Sequence, residues 1–350
     1  MTNGSNARPG RWPCNAWYVA AWASEVRDGL FSRRLLNQPV LMYRDEDGEP
    51  VAVADRCAHR FAPLSLGKKT SRGVQCAYHG LEFDRHGVCI HNPAGNGHIP
   101  AHTAIRSYPL VERDRLLWIW MGDPALADRT SIPDLSLVPP AGQGHDNVDN
   151  YLHVQANYLL ELDNLMDLSH VNFIHLGSLG HESMRSGEVR VKEQNGTIRA
   201  DLLMPNTICG FGDIVGELCD QWINIVWQAP TAMILEFGVV RPGEARVQEK
   251  DHYAFHLITP ETARTTHYFY GTSACFPAAQ AWKAAKIREA QTRAFCDEDN
   301  PMIEAVQERM GDADFWSLRP AILPNDAAAI RVRRRIEQMC RREDASTEQP

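Results

Sequence analysis

The chain has 350 residues, 44% of them hydrophobic and 23% charged, an ordinary balance for a globular protein with room for two cored domains. Its 36 basic and 44 acidic residues give a formal charge of -8 without a long basic block, which argues against nucleic acid as the main partner and against a disordered chain. No stretch approaches the roughly 18 uninterrupted apolar residues of a membrane span, and the polar segment Met1 to Gly10 is followed by no signal-peptide core, so a cytoplasmic location is expected.

In chain order, apolar and β-branched runs at Trp17 to Trp22, Pro39 to Tyr43, Val51 to Ala54, Val74 to Tyr78, Leu81 to Phe83 and Leu116 to Trp120 predict short strands. Asp45 to Gly48 and Asp84 to Gly87 are hairpin connections, because their glycines tolerate positive φ. A compact antiparallel β domain over residues 12–122 is expected. Inside it stand Cys57-Ala-His59 and, further on, Cys76-Ala-Tyr-His79. Each loop offers one soft sulfur and one borderline nitrogen, which suits a 2Fe-2S cluster with cysteines on one iron and histidines on the other. A structural zinc site uses the same residue types, but zinc fingers pair cysteine with cysteine. The remaining seven of nine cysteines are scattered, as reduced thiols would be, and His86, His91, His98 and His102 read as exposed turn histidines.

The two loops, with Arg60, Ala62 to Gly67 and Tyr78 to Gly80 around them, resemble the cluster motif of the Rieske non-haem iron oxygenases. The respiratory Rieske proteins add a cysteine to each loop, and this chain has none there. The resemblance implies that Cys57, His59, Cys76 and His79 hold the cluster.

Turn-forming residues from Gly122 to His145 mark a connector, taken as 123–145, before a second domain at 146–341. Tyr158 to His175 is an amphipathic helical stretch in which Asp163, Asp167 and His170 share a face, while His175 joins them only if the helix frays or bends near Asn172, with Gly177 near its end. By periodicity alone this is a polar helix face. With the first motif, Asn164-Leu-Met-Asp167-Leu-Ser-His170 and His175 resemble the mononuclear iron site of the same oxygenases, in the vanillate O-demethylase and toluenesulfonate methyl-monooxygenase group. The resemblance implies His170 and His175 as ligands of Fe(II), and Asp167 as a bridge, hydrogen-bonded to His170 and to His79 of a neighbouring chain in a homotrimer, that carries electrons between the two metals. A third, carboxylate ligand comes from Asp297, Glu298 or Asp299, where a long helical pattern breaks before Asn300-Pro301. The family pattern selects Asp299, with Asp297 as fallback because Cys296-Asp297 looks one residue longer than in the vanillate enzymes.

Residues 196–275 carry strand-like runs, Thr231 to Val240 and Asp251 to Ile258 among them, with turns at Pro205-Asn206 and Arg241 to Gly243. The second domain is therefore an antiparallel sheet flanked by helices, and the whole chain α+β. Asn164, Glu236 and His256 are candidate pocket residues, Glu236 and His256 facing either pocket or solvent. Gly210, Gly212 and Gly216 do not have dinucleotide-loop spacing. With no nucleotide site, NAD(P)H electrons must arrive through a separate reductase or ferredoxin. A surface helix is expected from Asp326 to Arg342 and a disordered tail over 342–350. The resemblance implies a terminal oxygenase that uses O2 to hydroxylate a methyl group of a small aromatic substrate, most simply O-demethylation with formaldehyde release. N-demethylation, or C-methyl or ring hydroxylation, is the alternative.

Overall fold

The computed structural model describes residues 11–138, 145–176, 178, 187–209, 214, 216–247, 252–275 and 282–347. The segment Met1 to Gly10, Gly177 and most of the 210–216 glycine stretch lie outside the described residues. Two compact units emerge, one of residues 13–132 with 259–262, the other of the remainder.

The first unit is built from three small sheets: Trp17–Trp22 with Leu116–Trp120 and Leu110–Arg113; Phe31–Leu35, Gln38–Arg44, Pro50–Ala54 and Ser107–Tyr108; and Lys68–Thr70, Gly73–Gln75, Glu82–Phe83 and Cys89–His91. Described neighbours pair antiparallel. Gly48 and Gly87 do adopt positive φ at the two hairpin tips. The expected strand Val74 to Tyr78 stops at Gln75, because Cys76 to Gly80 curl into a turn instead. Leu41, Tyr43, Val53, Leu64, Val74 and Phe83 pack into a core that also encloses Cys57 and Cys76. Full burial of each large apolar side chain contributes about 1.5–3 kcal/mol.

The second unit is a seven-stranded antiparallel sheet in the order His145–Val154, Thr266–Cys275, His252–Pro260, Ala232–Val240, Leu218–Gln228, Thr197–Ile208 and Glu188–Gln194. Pro205-Asn206 is a bulge inside one strand rather than a turn between two: the register shifts there, Asn206 takes φ 54°, and its N–H donates to Asp220. Among the described residues four α-helices accompany the sheet: α1 Tyr158–Met166, α2 Trp282–Gln291, α3 Asn300–Met310 and α4 Ala327–Thr347. Ala200, Leu202, Met204, Ile225, Trp227 and Met233 meet α1 and α4 in one core. Ala328, Val332, Ile336 and Cys340 recur every four residues and form the buried stripe of α4. The tail expected to be disordered is helical to Thr347, continuing α4 past the end of this stripe, and Asp344 pairs with Arg11; residues 348–350 lie outside the described residues.

Candidate metal centres

The loops at Cys57 and Cys76 close the same way. The Cys57 N–H donates to Ala62 O at 2.9 Å and the Phe61 N–H to Cys57 O at 3.0 Å; the Cys76 N–H donates to Leu81 O at 2.8 Å and the Gly80 N–H to Cys76 O at 3.0 Å. In each turn the fourth residue after the cysteine has positive φ, 61° at Phe61 and 75° at Gly80. Both thiols are buried while His59 and His79 are exposed, their rings 4.5 Å apart. Burial pushes the Cys57 thiol up, and the neighbouring Cys76 adds to it. Beneath the first loop the buried Asp55 carboxylate accepts from Ser32 Oγ, Ser65 N and Ser65 Oγ at 2.6–2.7 Å and pins its base. Two buried sulfurs and two outward imidazoles fit a 2Fe-2S cluster with one solvent-facing iron.

The second constellation depends on a helix that stops early. α1 ends at Met166, and Asp167, at φ -94° and ψ 89°, caps the following 3-10 turn Leu168–Asn172 by accepting from Ser169 N at 2.9 Å and Ser169 Oγ at 2.6 Å. The single face expected for Asp163, Asp167 and His170 therefore does not exist: Asp163 pairs with the buried Arg333 of α4. The early break, and the 3-10 turn that ends at Asn172, bring His170 and His175 together, rings 5.1 Å apart. His170 Nδ1 lies against the backbone carbonyl of Asp167, not its carboxylate.

Between α2 and α3 the chain does not break as expected. Thr292–Asp299 is a π-helical segment, closed by a bond from Asn300 N–H to Phe295 O, five residues back. Pro301 has no N–H to give and crowds the preceding α turn, and the wider turn accommodates it. The segment turns Asp299 inward, buried, and leaves Asp297 exposed. Asp299 Oδ1 is 3.6 Å from His170 Nε2 and Oδ2 is 3.2 Å from His175 Nε2, so one atom from each of the three lies within 4.8 Å of the others. Two imidazoles and one carboxylate are the donor set of a facial triad for Fe(II).

Asn164 does not simply line a pocket: its Nδ2 donates to Asp299 Oδ1 at 3.1 Å. His256 is buried on the helix side of the sheet, edge-on to Phe295, with Nδ1 2.6 Å from the Tyr268 hydroxyl and Nε2 without a partner among the described residues. Burial pushes its pKa down to about 4, despite the opposing charge of Asp299. Glu236 faces the other way, pairing with Tyr253 across the strands while His256 pairs with Met233, and is held by Asn224, Arg199 and Arg246. Glu298, foreseen only as a rival ligand, instead meets His175 Nδ1 at 2.7 Å, and Glu161, which was not foreseen, is pushed up to about 8 by burial and by Asp299 and Glu304. The unforeseen early stop of α1 had one local signal, the Asp167-x-Ser169 cap.

Residues 16–109 match the Rieske 2Fe-2S domain and residues 154–342 the vanillate O-demethylase oxygenase C-terminal domain. The oxygenase component of dicamba O-demethylase from Stenotrophomonas maltophilia is 40% identical, over 93% of this chain and 97% of that protein. The oxygenase component of chloroacetanilide N-alkylformylase from Rhizorhabdus wittichii is 39% identical, over 92% and 94%. The crystal structure of dicamba monooxygenase bound to 3,6-dichlorosalicylic acid superposes with a TM-score of 0.87 at 38% identity, covering 95% of this chain and 98% of that one.

Proposed function

We propose, for a chain that belongs to the Rieske non-haem iron oxygenases with a vanillate O-demethylase-type catalytic domain, that it is the terminal oxygenase of a multicomponent monooxygenase that demethylates a methoxylated aromatic acid and releases formaldehyde. The observation that carries this reading is the convergence of His170, His175 and Asp299 in a chain whose first unit presents the cluster loops. Iron bound there supplies dioxygen activation, and the cluster supplies electrons singly.

In this reading Cys57, His59, Cys76 and His79 hold the cluster. His170 and His175 present Nε2 to the iron, since Nδ1 of each is occupied by Asp167 O and by Glu298. Asp167 has one carboxylate oxygen on Ser169 and the other without a partner among the described residues, so it remains available to the partner subunit's cluster domain in a head-to-tail trimer. His256, neutral above its lowered pKa, offers Nε2 as a single hydrogen-bonding atom beside Tyr268, Tyr270 and Phe295. An aromatic ring bearing one polar group suits such a wall. Electrons come from a separate reductase or ferredoxin, in keeping with the relatives' description as oxygenase components, and we propose the cytoplasm as the place of action.

The 39% identity to an N-alkylformylase oxygenase component favours N-dealkylation as the second reading. Oxygen uptake driven by a surrogate reductase across O-methyl, N-methyl and C-methyl aromatics tests both. Uptake with none of these substrates would contradict the assignment.

A further inference from the structure

His175 is gripped at both ring nitrogens by consecutive carboxylates. Glu298 Oε2 lies 2.7 Å from Nδ1, and Asp299 Oδ2 lies 3.2 Å from Nε2. Successive residues of an α-helix point about 100° apart, and here both belong to the π-helical segment Thr292–Asp299. The same widening seats Arg293 beside Glu298: its Nε donates to Oε1 at 3.0 Å across five residues, a separation that an i→i+5 turn brings into line. Ser178 Oγ donates to Oε2 at 2.6 Å. Every oxygen of Glu298 is thus fixed, and the one facing the ring must accept the Nδ1 proton. His170 differs, because its Nδ1 meets only the neutral carbonyl of Asp167.

We infer that Glu298 is a positioning residue of the iron site, fixing His175 as the Nδ1–H tautomer and strengthening Nε2 as a donor, with Arg293 and Ser178 holding the carboxylate in place. This rests on the assignment of His170, His175 and Asp299 as ligands. A carboxylate on the far nitrogen of a ligating histidine sets both its ring orientation and its basicity. The π-helical segment is what puts two carboxylates on one imidazole.

The test is Fe(II) affinity of the cluster-containing, iron-depleted protein, measured anaerobically by competition with a ferrous chelator. Glu298→Gln should weaken binding about 10–100-fold, with cluster absorbance and the melting temperature of the iron-depleted form unchanged, and Arg293→Gln should weaken it less. Asp297→Asn, at the exposed neighbour, should match wild type. In the Co(II)-loaded protein, Glu298→Gln should also shift the visible ligand-field bands. Wild-type affinity in Glu298→Gln would overturn the inference, as would lost affinity with unchanged bands and a lowered melting temperature. If Glu298→Gln does not fold, wild-type affinity in Arg293→Gln overturns it instead. Failure of the ligand assignment is separate: there wild-type protein would bind no iron beyond its cluster, or His170→Ala would still bind it.

Discussion

Asp299 Oδ2 stands 3.2 Å from Nε2 of His175. One residue sits in a loop after α1 and the other in the π-helical segment before α3, and with His170 they form the proposed iron site. Asp299 should therefore be indispensable where Asp297 is not. Asp299→Asn should lose the mononuclear iron and Asp297→Asn should keep it, as metal analysis of the two variants would show. The reverse result would restore Asp297 as the ligand.

Asp167→Asn should retain both metals yet abolish turnover. The backbone carbonyl that meets His170 Nδ1 survives this substitution, so the ligand stays oriented, while the charge proposed to couple the two centres is lost. Iron content together with single-turnover reduction kinetics checks it. Normal turnover would remove the bridge role.

His170→Ala should lose the mononuclear iron and keep the red-brown cluster, because the cluster turns at Cys57 and Cys76 close on their own backbone bonds. Absorbance and iron stoichiometry give the answer in one preparation. Retained stoichiometric iron would contradict it.

Glu236 makes a prediction about stability, not turnover. Burial opposes its charge, but Asn224, Arg199 and Arg246 outweigh that and hold it at about 2 against an ordinary 4.5. The folded protein binds fewer protons than the unfolded between these values, so the contribution is complete above about 4.5 and is lost as pH falls through about 2. Glu236→Gln should lower stability at neutral pH by about 3 kcal/mol, the lower end for breaking a buried charge network, since Arg199 and Arg246 are 33% and 35% exposed. It should also flatten the acid limb of a melting-temperature profile.

What the sequence disclosed and withheld follows from how local each determinant is. Cys57, His59, Cys76 and His79 lie in two short loops whose residue types and spacing suit a 2Fe-2S cluster, and the family resemblance implied them as its ligands. His170 and His175 were legible as a pair, but the route by which they converge was not. Helical periodicity carried the stretch past Asp167, whereas the Asp167 carboxylate on Ser169 ends the helix there. Asp299 was legible through the family pattern. The π turn that aims it was not legible, and Glu298 was read as a rival ligand because its bond to His175 Nδ1 joins distant parts of the chain. The facing of Glu236 and His256 was not legible, since a one-residue change of strand register exchanges the two faces.

The measurement that bears most directly on the proposed activity is formaldehyde release followed together with oxygen uptake, using the protein with a surrogate reductase on O-methyl, N-methyl and C-methyl aromatics. Formaldehyde in step with oxygen on a methoxylated aromatic acid is the predicted result. Oxygen consumed with a hydroxylated product and no formaldehyde would contradict demethylation and make this chain a methyl or ring hydroxylase.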